Sequence, residues 1–487
     1  MPEFDLLIRG AQPFPEIGIA DGKIASLSGG STRDEIDATG LHIFPGVIDS
    51  HVHFNEPGRA DWEGIATGSQ ALAAGGGTVF FDMPLNAHPP TCDAASFDEK
   101  IIAAENKSAT DFALWGGLVP GNLDKLERLA ARGVVGFKAF MANSGIEDFE
   151  NVDNATLREG MKRCAALGKL VAVHAESDAI TARLAAKALA ENKITVRDYL
   201  DSRPIHAELE AIQRAIQFAG ETKCSLHIVH VSSGAGVALI ASARNQGADV
   251  TCETCPHYLV LTEADAEKIG ALAKCAPPLR TQSAQDVLWR YLEAGYVNTV
   301  GSDHSPSPPD MKRNFNFFKV WGGISGVQHT LPLMLTRVAA GILPAVEPGF
   351  QPGGTVVEKS ERAENVEASI SADASPGGKM PPSTAGRMPA ATSLPLISNL
   401  LSTNVAARFK IPHKGKIAPG FDADFALVDL QQQFTVAKED LFYRHQQSPY
   451  VGRKLTGRVT QTILRGKTIF KDSKIVNAGG GKLIIPT

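Results

Sequence analysis

Short stretches of alternating apolar and polar residues open the chain. Residues 5–9, 16–20 and 23–27 each read as a brief strand, with Asp21-Gly22 as a tight hairpin turn between the last two. The same pattern returns near the end, where 423–429, 460–464 and 468–470 are strand-like and Arg465-Gly466-Lys467 reads as a turn. Neither end holds enough strands for a stable sheet alone. The two are therefore expected to meet in one small composite β-sandwich of residues 1–45 and 413–487.

Between the ends the pattern changes. Buried-looking apolar runs begin at Val47-Ile48 and recur at 77–81, 113–118, 134–138, 170–174, 225–230, 249–253 and 298–302. Stretches of helical spacing, such as 65–74, 154–167 and 206–219, separate them. Eight strands alternating with helices predict an α/β fold, a (β/α)8 TIM-like barrel over residues 46–412. Residues 345–392 break the alternation, being rich in Pro, Gly, Ser, Ala and Glu and poor in large apolar residues. They read as a disordered insertion on the barrel rim, with a functional lid as the alternative. Regular patterning resumes at Leu394 as a late barrel helix.

In such a barrel the active site gathers at the C-terminal ends of the strands. His51 and His53 follow the first run, and side chains two apart on a strand share a face. Lys138, His174, His230 and Asp303 lie at or just beyond the ends of later strands, which marks a single site. Neutral imidazoles are good ligands for zinc and its neighbours. Four of them with a carboxylate can hold two divalent ions, provided an anionic group bridges the pair. Lys138 is the odd member, because an ammonium cannot ligate a metal. Its apolar setting from Gly136 to Met141 should lower its pKa. A neutral amine can add carbon dioxide and become a carbamate with one oxygen for each metal. Locally the same residue also reads as a lysine with only its stem buried.

His227 and His230 compete for one ligand role, and an offset of three puts them on opposite faces of a strand. His230 is nearer the strand end and is the choice, with His227 packed or placed behind a ligand. His304 is expected to face away, and His257 is either packed or placed behind a ligand. A dinuclear centre lowers the pKa of bound water and polarises a carbonyl. Asp303 would accept the water's proton and return it to a leaving nitrogen. The implied reaction is hydrolysis of an amide, an ester or a related bond.

Composition narrows the rest. Hydrophobic residues make up 43% of the 487, enough for a large core. With 48 Lys plus Arg against 53 Asp plus Glu, the net charge of -5 argues against a nucleic-acid partner. No apolar run approaches the roughly 20 residues of a membrane span. The acidic start, from Met1 to Asp5, lacks the pattern of a secretory leader, and six sparse cysteines fit a reducing cytoplasm. Cys252 and Cys255 form a lone C-x-x-C with no second pair to complete a zinc knuckle.

The His-x-His pair, the lysine, the two separated histidines and the late aspartate together resemble the amidohydrolase superfamily. The resemblance is to its cyclic amidohydrolase branch of dihydroorotases, hydantoinases (dihydropyrimidinases) and allantoinases, and it spans nearly the whole chain apart from 345–392. It implies that His51, His53, Lys138, His174, His230 and Asp303 ligate two divalent ions, with Lys138 as the N6-carboxylysine bridge. Zinc is the expected metal, and cobalt or manganese suits the same mixed set. It also implies a homotetramer.

The segment from His51 to Gly58 looks like the allantoinase form. Dihydroorotases usually carry arginine at the place of Asn55, where it would pair with a substrate carboxylate. The segments Asp82 to Asn86, Trp321 to Gln328 and Ser448 to Gly452 are similar to allantoinases as well. Hydantoinases commonly place a tyrosine shortly after the modified lysine, where this chain has Asn143. The resemblance thus implies ring-opening hydrolysis of allantoin, a small cyclic ureide, to allantoate in purine breakdown. Asn55 and Ser305 are candidate substrate contacts, with turn capping as the alternative for each. The rivals are a dihydroorotase, a hydantoinase, or a non-enzymatic scaffold that has lost its chemistry. The complete ligand set weighs against the scaffold.

Overall fold

The computed structural model describes residues 3–339 and 390–487. Residues 345–389 of the expected insertion lie outside the described residues, whereas 390–392 begin a helix, Ala390–Ser398. The late helix therefore starts four residues before the expected Leu394. It continues through a widened π turn, Asn399–Thr403, into Asn404–Arg408. Ser402 in that turn donates its hydroxyl to the Gly46 carbonyl, 2.9 Å away, and so ties the late helix to the start of the barrel.

Both chain ends build sheet. Phe4–Arg9 pairs antiparallel with Glu16–Ala20 and parallel with Thr32–Asp37. Lys23–Ser26 adds to the other edge of Glu16–Ala20. The turn before it puts Asp21 at φ 50° and Gly22 at φ 75°. Two successive left-handed residues of this kind favour Asp-Gly. The C-terminal strands are longer than the sequence pattern shows, Phe425–Thr435 and Lys454–Leu464, because both extend past their apolar halves into polar residues. One N-terminal strand, His42–Pro45, joins the C-terminal sheet antiparallel to Phe425–Thr435. Ile8, Ile17 and Ile24 from one end pack with Phe425, Leu427 and Ile463 from the other in one cluster.

The eight barrel strands are Val47–Val52, Gly77–Asp82, Asp111–Leu114 continued by Gly116–Gly117, Phe137–Phe140, Val171–His174, Leu226–Ile228, Val250–Thr254 and Thr299–Val300. Every neighbouring pair is parallel. A parallel bridge between Val52 and His304 closes the last strand onto the first. The third strand breaks at Trp115, whose indole nitrogen donates to the Ser50 carbonyl at 3.0 Å. The fourth strand starts three residues later than the pattern suggests. Val134 and Val135 are buried ahead of it, so the apolar run there begins before the ladder does. Strands six and eight are shorter than their apolar runs. Their last residues turn out of the ladder, and His230 and Asp303 adopt left-handed backbone at φ 39° and 46°.

Candidate metal centre

The first barrel strand delivers His51 at its C-terminal end and His53 just beyond it. Their imidazoles stand 5.5 Å apart between ring centroids. Asp303 arrives from the end of the eighth strand and meets both. Its Oδ1 lies 3.3 Å from His51 Nε2 and 3.4 Å from His53 Nε2. The ligand atoms of His51, His53 and Asp303 all fall within 4.8 Å of one another, a grouping that can hold a metal ion. His174 and His230 come from the ends of the fifth and sixth strands. His174 Nδ1 faces His230 Nε2 at 3.1 Å, and the His230 ring lies 5.4 Å from that of His51. All five side chains line one cavity of about 360 Å³.

Lys138 is fully buried in the fourth strand, and its amine has no hydrogen-bond partner. Its Nζ lies 5.1 Å from the centre of the Phe140 ring, which stacks on His174 at 4.6 Å. Burial pushes the amine down to about 7, against the pull of the Asp303 and Glu253 charges. Burial likewise lowers His53, His174 and His230, His230 furthest, which favours neutral rings. At Asp303, burial alone would raise the pKa. The neighbouring His51, His53 and His230 overcome it and hold the carboxyl well below the usual carboxylate range.

Carboxylates behind the rings fix which nitrogen faces the cavity. Glu253, in the seventh strand, lies 2.7 Å from His51 Nδ1 and accepts a 2.7 Å bond from Ser50. A carboxylate only accepts, so His51 carries its proton on Nδ1 and presents Nε2 as a lone pair. Glu176 does the same for His174, whose Nε2 lies 2.9 Å away, leaving Nδ1 to face His230. Arg203 pairs with Glu176 on its other side. The Arg203 and His174 contacts overcome burial and bring Glu176 down to about 2. Neither glutamate stands out in the sequence. Glu176 follows His174 by two residues and Glu253 sits inside the C-x-x-C, so position relative to a strand end is the one signal each carries. Gly301 has a steric reason, since a Cβ there would stand 2.6 Å from Glu253 Oε2 and 3.0 Å from His51 Cβ.

The remaining residues divide. Ser305 lines the cavity, as do Asn86 and Asn143. Asn55 does not line it. That side chain is buried behind the wall, at φ 64°, with Nδ2 3.4 Å from the Pro306 carbonyl. Its left-handed backbone suits the turn reading of this residue, and its Oδ1 is buried without a hydrogen-bond partner. His227 is packed, with Nδ1 2.8 Å from the Thr251 hydroxyl and its ring 5.4 Å from Phe409. His304 accepts from the Gly326 amide at 3.1 Å. His257 is buried with both ring nitrogens unpartnered, and burial pushes it down to about 4. All six cysteines are free thiols, and Cys252 and Cys255 are buried.

The donor set fits divalent metal. Four imidazoles converge with a carboxylate on one cavity, and a buried amine without a hydrogen-bond partner lies close to them. Among the described residues, no helix is long and apolar enough to cross a membrane.

The chain is also similar to proteins of known family and structure. The model of the amidohydrolase family matches residues 42–329. The chain is 49% identical over its full length to an allantoinase of Rubrobacter xylanophilus, covering 98% of that protein. It is 46% identical to an allantoinase of Deinococcus radiodurans, over 99% of each chain. Its structure resembles that of an L-hydantoinase (dihydropyrimidinase) from Arthrobacter aurescens, with a TM-score of 0.85 and 31% identity over 99% of this chain and all of that one.

Proposed function

The chain belongs to the amidohydrolase family, and from that premise we propose that it is an allantoinase, opening the hydantoin ring of allantoin by hydrolysis to give allantoate. It is a metal-dependent hydrolase of carbon–nitrogen bonds in a small cyclic amide. The observation that carries the chemistry is the Lys138 amine, buried and unpartnered beneath four histidines and Asp303.

In this reading His51, His53, His174, His230 and Asp303 would hold two divalent ions. Lys138 would join them as an anionic ligand, its neutral amine adding carbon dioxide and releasing a proton to become a carbamate. Zinc is the metal proposed, with cobalt or manganese as substitutes. When bound, such a pair polarises the ring carbonyl and acidifies water. Asp303 supplies the proton path. It is ionised at neutral pH and, from its place beside His51 and His53, would take the proton of the attacking water and pass it to the departing ring nitrogen. Glu253 and Glu176 keep the imidazoles of His51 and His174 in the ligating tautomer.

Ser305 supports an uncharged substrate, since it offers a neutral hydroxyl beside Asn86 in the cavity wall. Of the three cations lining the cavity, Arg203 is already paired with Glu176 and Lys274 with backbone carbonyls, and Lys319 is the third. Turnover of metal-loaded protein on allantoin, dihydroorotate and hydantoin, measured side by side, tests the reading. Preferred opening of allantoin is expected. Preference for either other ring would overturn the substrate and leave the hydrolase. The assembly proposed with it is a homotetramer, checked by light scattering on the purified protein.

A further inference from the structure

One wall of the cavity comes from a stretch without regular strand, residues 317–323, held by two lysines the chemistry does not use, Lys274 buried and Lys312 half-buried. Lys274 is 6% exposed. Its Nζ donates to the carbonyls of Phe317, Phe318 and Val320 at 2.7, 3.1 and 2.6 Å. Lys312 donates to the carbonyls of Trp321 and Gly323 at 2.9 and 2.8 Å. The Lys274 carbonyl closes the arrangement by accepting from the Gly323 amide at 2.7 Å. Carbonyls outside a ladder need donors from elsewhere, and an ammonium is the one side-chain group that turns three N–H bonds outward from a single atom.

The ammonium of Lys274 also sits 4.5 Å from the centre of the Tyr199 ring and 5.3 Å from that of Phe317. The charged groups facing it are Arg203 and Lys312, both cations, so the carbonyls and rings are its counterweight. The wall is registered against the metal centre at its far end. A Cβ on Gly323 would collide with the carbonyl of Ser305, two residues past Asp303. Trp321 meets Trp62 edge-on at 4.8 Å.

We infer that Lys274 and Lys312 are positioning residues that pin residues 317–323 as a fixed wall, against which the substituent on the substrate's ring is seated. The inference rests on the cyclic-ureide reading of the site. Binding of the ring substituent then depends on the wall, while the candidate metal ligands, on other strands, do not.

The test is the KM and kcat of Lys274→Met and Lys312→Met on allantoin, with metal content measured on the same preparations. KM is expected to rise about tenfold in each variant, with kcat falling by less than that and metal retained. An unchanged KM in a folded, metal-loaded variant would overturn the inference, as would loss of metal or of kcat alone, which would place the lysines in support of the metal centre. If Lys274→Met does not fold, Lys312→Met carries the test, since it holds the other end of the same wall. Failure of the wild-type protein to open allantoin would sink the functional reading instead, and KM would then be read on whichever cyclic amide it does open.

Discussion

Two residues bear most of the proposed chemistry. Lys138 has no hydrogen-bond partner in a fully buried position, a costly arrangement unless another group completes it. Lys138→Ala is expected to weaken metal binding by more than the about 10- to 100-fold that loss of an outer-shell partner costs. Turnover should fall with it, and a short-chain carboxylic acid or bicarbonate should restore part of both. Metal analysis alongside turnover checks this, and full activity in the variant would remove the bridge. Asp303 can be separated from metal binding more cleanly. Asp303→Asn keeps a ligand oxygen but cannot take up a proton, so kcat should drop by about 10²- to 10⁴-fold in protein that still holds metal. Near-normal turnover in a loaded sample would take the proton-transfer role away.

One buried polar cluster joins the C-terminal segment to the barrel. Lys414 lies 2.7 Å from Asp111 in the third barrel strand, 2.6 Å from Asp424 and 3.0 Å from Asp422. Arg465 also pairs with Asp111. Burial pulls the Lys414 amine down, but Asp424, Asp111 and Asp422 overcome it and hold the amine above its ordinary value. Burial and the nearby Asp111 push Asp424 up, as expected where acids crowd one cation. Lys414→Met leaves buried carboxylates without their cation and should cost about 3–5 kcal/mol in denaturant unfolding. Because the folded pKa of Lys414 is raised, its contribution is fully present below the unfolded value of about 10.5 and is lost as pH rises through the folded value. Stability of the wild type should therefore fall more steeply than that of the variant above pH of about 10.5.

At the scale of the molecule, metal and fold should be coupled. The proposed ligands come from five strands, the first and the last among them, and meet at one point, so an ion bound there stabilises the folded chain only. Removing it with a chelator is expected to abolish turnover and lower the unfolding free energy, by about 4 kcal/mol where metal had stood at a thousandfold excess over its Kd. Zinc, cobalt or manganese added back should restore both. Calorimetry before and after chelation measures the coupling, and an unchanged transition would mean that the site is empty in the working protein.

The sequence by itself determined the barrel and where the candidate ligands stand on it. Apolar runs of strand length reported burial directly, and the histidines, the lysine and the aspartate stand at strand ends where eight parallel strands must point them inward. Strand limits were less legible, as at Val134 and His230, because burial continues past the last ladder bond. Only the tertiary structure decided the partners. Glu253 meets His51 across 202 residues and Lys274 meets Val320 across 46, contacts that no local period encodes. It also put Asn86 in the cavity wall, because the direction of a side chain in a loop depends on backbone turns that packing, and not pattern, sets.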